Sequence, residues 1–126
     1  RLDWAALAAP EHRQWRDFHR QLLALRHAEI VPRLAGIDGH GAGFADIGDT
    51  GFLVCWRLGD GSLLTLIANL GDTELPAPGL RYEHPGRTLH LEPADAAVAI
   101  TDGRLPAWSA AWYLDADPEA DDEPDA

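Results

Sequence analysis

Methionine is absent from this sequence, and cysteine occurs once, at Cys55. One thiol closes no internal disulfide, so nothing calls for an oxidising compartment and a cytoplasmic setting is expected. Without methionine, residue 1 is not an initiator, and these 126 residues are expected to be a piece of a longer polypeptide. No apolar run approaches the roughly 20 residues that span a bilayer, and no signal-peptide pattern opens the chain. A clustered basic stripe is also missing, and the formal net charge is −11. A polyanion would be repelled, so neither nucleic acid nor membrane is expected as a partner.

What is there supports a folded domain. The hydrophobic fraction of 46% is ordinary for a globular chain, and the length allows one domain with an appended element. The acidic charge is uneven. Residues 115–126 carry seven of the 21 acidic side chains and no basic ones. Such a segment buries too little apolar surface to order itself, so a disordered acidic tail is expected.

The first third of the chain carries a helical pattern. Pro10 suits a first helical turn, where its missing N–H costs nothing, and Glu11 adds favourable negative charge. Trp15, Phe18, Leu22 and Leu25 then recur at spacings of three and four, with Leu23 widening the stripe. Arg13, Arg16, Arg20 and Arg26, with Asp17 and Gln21, take the other side. Pro32 disfavours the helical conformation at the residue before it, so the helix should end near residues 29–31.

A glycine-rich connector follows at 36–43, and strand signals begin after it. Candidate strands are Phe44–Ile47, Gly51–Leu58, Ser62–Asn69, Arg87–Leu91, Ala97–Ile100 and Ala107–Leu114. Asp60-Gly61 predicts a two-residue hairpin, and Asp102-Gly103 predicts another between the last two strands. The nearly continuous apolar run of Ser62–Asn69 predicts a central strand covered on both sides. The expected fold is mainly β, an antiparallel β-sandwich of Greek-key type preceded by one long amphipathic α-helix. Expected boundaries are 1–35 for the helix and its flanking loop, 36–43 for the connector, 44–114 for the β domain and 115–126 for the tail.

Residue types that carry chemistry are present but not in a catalytic pattern. Glycoside hydrolysis needs two carboxyl groups roughly 5–10 Å apart. Asp38, Asp60 and Asp102 each precede glycine and read as turn formers, while Glu11 and Asp17 read as solvated helix positions. His12, His19 and His27 lack the i, i+4 spacing of helical zinc ligands, and His84, His90 and Glu92 form no metal motif. Cys55, within a strand, reads as a small buried hydrophobe. No catalytic, metal or cofactor residue is assigned. Among the aromatics, Trp108 and Trp112 are candidates for stacking on a sugar ring. Trp112 and Tyr113 must point to opposite faces of their strand.

Leu2-Asp3-Trp4, Pro10-Glu11-His12, the segment LLALR at 22–26 and IVPRL at 30–34 together resemble the last barrel helix of α-amylase-type glycoside hydrolases. Within that family the wording is most similar to malto-oligosyltrehalose trehalohydrolases. The strand LTLIANLGD at 64–72, and Leu105-Pro106 with Trp108, are similar to the C-terminal β domain of those enzymes. The likeness covers nearly all of residues 2–114. It implies a parent enzyme that cleaves α-glucosidic bonds with three carboxylates in a (β/α)₈ barrel preceding this region. None of those barrel strands is present, so no catalytic residue is carried over.

The resemblance gives the apolar stripe a partner. Trp15, Phe18, Leu22 and Leu25 would each contribute about 1.5–3 kcal/mol on full burial, a sum comparable with the stability of a small domain. They are expected to rest on the catalytic barrel of the same polypeptide, with this region covering and stabilising that barrel. The alternative is a self-standing carbohydrate-binding module with a weak maltooligosaccharide ligand.

Overall fold

A computed structural model describes residues 2–78 and 86–116. The expected tail from residue 117 onward, together with Tyr82 and His84, lies outside the described residues. A short 3₁₀ turn, Trp4–Ala8, is capped by Asp3, whose carboxylate accepts from the Ala5 amide. Helix α1 then runs over Pro10–Leu25, with Pro10 at its first position and Glu11 in its first turn, as the sequence predicts. The helical path continues through a π turn, Arg26–Ile30, and a 3₁₀ turn, Val31–Arg33. Pro32 explains the rewinding. It has no N–H for the carbonyl one α-turn earlier, so the last residues close wider and tighter turns instead.

The remainder is a five-stranded antiparallel sheet with a two-stranded ribbon over one of its faces. Its strands are β1 (Ala42–Ile47), β2 (Gly51–Arg57), β3 (Leu63–Asn69), β4 (Leu75–Pro76), β5 (Arg87–Glu92), β6 (Arg104–Leu105) and β7 (Ser109–Asp115). The large sheet has the order β1-β2-β3-β7-β5, and β4 pairs with β6 in the ribbon. The apolar run of β3 is indeed central, hydrogen-bonded to β2 on one side and β7 on the other. Asp60-Gly61 lies in the β2–β3 connection but does not form the expected two-residue turn: the Gly61 amide donates to the Leu58 carbonyl, which puts Gly59 and Asp60 at the turn centre, and of the pair only Gly61 has a positive φ, 87°.

Two expectations at the C-terminal end are corrected. Ala97–Ile100 is not a strand but lies within helix α2, Ala96–Thr101, and Asp102-Gly103 ends that helix instead of turning a hairpin. Three alanines favour the helix, and spacing decides the matter: Ala96 and Ile100, four apart, both reach the core. Gly103, at φ 77°, caps the helix through its amide, which donates to the Ile100 carbonyl.

The two faces of the large sheet are covered differently. On the ribbon side, Ile67, Ala111 and Tyr113 pack with Leu105 of β6, Ala77, and Ala96 and Ile100 of α2. On the helix side, Leu64 and Leu114 pack with Leu58, joined by Ile30, Leu34, Trp56, Leu89 and Trp112. Tyr113 and Trp112 therefore do face opposite ways. Burial holds the Tyr113 phenol above its ordinary pKa.

Candidate functional site

The helix is fastened to the sheet at one end. Arg33 anchors it: Nη1 donates to Asp60 Oδ2 at 2.6 Å and to Ser62 Oγ at 3.0 Å, and Nε donates to the Glu29 carbonyl at 2.9 Å. The hydroxyl and amide of Ser62, with Arg33 behind them, hold the Asp60 carboxyl down at about 2. A second ion pair, Arg87 with Glu29, ties β5 to the π turn.

Above this latch the apolar stripe meets the β domain along part of its length. Leu22, Leu25 and Ile30 line a cleft of about 190 Å³ closed from below by Leu89, His90 and Trp112. Phe18 meets His90 edge-on, with centroids 6.0 Å apart. His90 Nε2 is buried there without a hydrogen bond; Glu92 Oε2, 3.5 Å away, is too distant for a good one. Trp15 stands apart at 64% exposure, its ring edge-on to Phe18 with centroids 6.0 Å apart. Gln14, Trp15, Phe18 and Glu92 border an open groove of about 510 Å³.

The two candidate sugar-stacking residues are also separated. Trp112 is half-buried and stacked on Trp56, with centroids 6.0 Å apart and planes 10° off parallel. Trp108 is 65% exposed and adopts φ 51°, uncommon for a bulky residue. Its amide donates to the Gly71 carbonyl. The loops around it are pinned by Asn69, a fully buried residue whose role the sequence did not announce. Asn69 Nδ2 donates to the carbonyls of Thr73, Leu105 and Pro106, and Oδ1 accepts from Thr50 Oγ1 and the Gly71 amide.

Several of the described carboxylates are engaged with cations or turns. Asp60 holds Arg33, Glu74 and Asp102 both reach Arg104, and Asp38 caps the turn at His40. No group of three or more His, Cys, Asp or Glu residues among the described residues could hold a metal. Cys55 is half-buried and accepts from Thr65 Oγ1 at 3.6 Å. No helix among the described residues is long and apolar enough to cross a membrane.

Sequence reasoning missed the aromatic pair Phe44 and Phe52, stacked on the helix side of β1 and β2 with centroids 6.2 Å apart. The alternation Phe52, Val54, Trp56 was the available signal, since residues two apart share a face.

Residues 39–112 match a domain family described as "Domain of unknown function (DUF3459)". A crystal structure of a "Putative alpha Amylase" from Salmonella typhimurium matches with 28% sequence identity and a TM-score of 0.75. The match covers 90% of this chain and 18% of that one, so the chain spans under a fifth of its structural relative. No curated relative matches the chain. The fold, a β domain with a helix before it, is similar to a part of that α-amylase-like protein. The chain belongs to the DUF3459 family.

Proposed function

We propose that this domain is the noncatalytic C-terminal part of a malto-oligosyltrehalose trehalohydrolase-like enzyme, where it covers and stabilises the catalytic barrel. The parent reaction would release trehalose from maltooligosyl trehalose, in a cytoplasmic setting suited to a chain with one thiol. The observation that carries the reading is the fastening of the helical segment to the sheet at its C-terminal end. Arg33 is bonded to Asp60 and Ser62, and Leu22, Leu25 and Ile30 face Leu89 and Trp112. A helical segment latched at its C-terminal end would couple the β domain to whatever is built on the helix, barrel included.

Product analysis of the full polypeptide tests the parent reaction. Given maltooligosyl trehalose, it should release trehalose and the shortened maltooligosaccharide. Release of maltooligosaccharides from starch with no action on maltooligosyl trehalose would reject the trehalohydrolase while keeping the α-amylase-like parent.

The second reading, a carbohydrate-binding module, is favoured by one observation, the outward Trp108 on its pinned loop. Titration calorimetry of the 126-residue chain with maltooligosaccharides separates the two: saturable heat lost in Trp108→Ala supports the module, and no heat supports the structural role.

A further inference from the structure

The two edges of the large sheet are finished differently. β5 carries a bulge between Thr88 and His90, is tied to the π turn through Arg87 and Glu29, and runs into Pro93. Such devices keep another strand from pairing at an edge. β1, at the opposite edge, has none of them. Its pairing with β2 is unbroken from Ala42 to Ile47, and its sequence AGFADI holds no lysine, arginine or proline.

The ladder fixes which groups of β1 point off the edge. The Arg57 amide donates to the Gly41 carbonyl at 2.8 Å. In an antiparallel pair such bonds recur at every second residue, so Gly43, Ala45 and Ile47 turn their amides and carbonyls to β2. Ala42, Phe44 and Asp46 turn theirs outward. The side chains of these three share one face, where Phe44 is 67% exposed and stacked on Phe52.

We propose that β1 pairs antiparallel with β1 of a second copy of this chain, about a two-fold axis at Phe44, joining the two five-stranded sheets into one. In that register Phe44 lies opposite the partner's Phe44, and Ala42 lies opposite the partner's Asp46. The outward amides and carbonyls of both strands are then satisfied together, in about six hydrogen bonds. The strand is its own complement, because its only charged residue, Asp46, meets a small neutral one and never its own copy. The Phe44–Phe52 stack also comes to lie beside its symmetry mate. A shift of two residues either way leaves one end of each strand unpaired and parts the Phe44 rings, so the register is specified. A two-fold contact of this kind closes on itself and stops at the dimer.

Sedimentation velocity of the 126-residue chain and of the full polypeptide tests the pairing, at about 0.15 M salt to screen the like net charges. With six residues a side the contact is small, so dimers should form at roughly 10–100 μM. The mass of the chain should rise from 13.7 kDa to twice that and no further. Ala42→Lys, facing the partner's Asp46, should tighten association about three- to tenfold, and Ala42→Glu should weaken it by a similar factor, because the pair occurs twice. Val98→Lys, the same charge change at an exposed position on α2, should leave association as it is. Ala42 is exposed, so both of its variants should melt with the wild type. A chain that stays at 13.7 kDa throughout would overturn the proposal, as would a dimer indifferent to the sign of the charge placed at position 42. Dimers of the chain beside a monomeric full polypeptide would overturn it too, by showing that another part of the polypeptide covers the edge.

Discussion

The amide of Gly59 donates to the carbonyl of Arg33 at 2.7 Å, so the end of the helical segment and the β2–β3 turn share a backbone hydrogen bond. The approach leaves no room for a side chain. A Cβ on Gly59 would lie 1.8 Å from the Ala35 carbonyl oxygen. Gly59→Ala should therefore cost about 1–3 kcal/mol as the loop shifts. Gly39→Ala, with nothing within 4 Å of its Cβ, should change stability by less than about 0.5 kcal/mol. Urea denaturation of the two variants checks the contrast; equal stabilities would mean the helix end is not clamped there.

The Arg33–Asp60–Ser62 latch has a pH signature. The Asp60 carboxyl titrates at about 2 in the folded chain, below the ordinary 3.8, chiefly because Ser62 donates to it. A depressed carboxylate pKa gives stability that is complete above the unfolded value and is lost as pH falls from about 3.8 through about 2. Wild type should lose stability on acidification through that window more steeply than Asp60→Asn, the difference closing below it. Parallel stability curves for the two proteins would contradict the latch.

The apolar stripe should divide energetically where it divides structurally. Leu22 is half-buried against the β domain, and Leu22→Ala should cost about 1–2 kcal/mol. Trp15→Ala should cost under about 0.5 kcal/mol in the 126-residue chain, because that ring is mostly in water. Chemical denaturation of both variants reads the difference, and a larger loss at Trp15 would reverse the assignment of inner and outer positions.

Asn69 should be the least replaceable polar residue of the domain. Asn69→Ala removes the side-chain partner of the Thr73 and Leu105 carbonyls and of the Gly71 amide, while the Pro106 carbonyl keeps the Ser109 hydroxyl, at a cost of about 3 kcal/mol. Thermal melting measures it. A variant as stable as wild type would mean that water replaces the amide without loss.

Much of this architecture was legible in local chemistry. Pro10 and Glu11 fixed the start of α1, Pro32 its disturbed end, and Asp60-Gly61 the place of the central hairpin though not its loop length, because each acts through a constraint on its own backbone. The misread segment, Ala97–Ile100, is short enough that alternation and helical spacing both fit it, and only contact of Ala96 and Ile100 with the core separates them. The stripe from Trp15 to Leu25 was visible as a stripe. Its division between an inner seam and an outer surface was not, because that depends on where His90 and Trp112 come to rest after sheet pairing. Asn69 escaped notice for the same reason: its partners Leu105 and Pro106 lie more than thirty residues away in the chain.

The central claim is that this domain supports glycan chemistry without performing it. Incubating the purified 126-residue chain with maltooligosaccharides and with maltooligosyl trehalose, and resolving the products by chromatography, tests it most directly. The account predicts unchanged substrates and no free trehalose over the period in which the full polypeptide consumes its substrate. Sustained turnover of either glycan by the chain alone would contradict it.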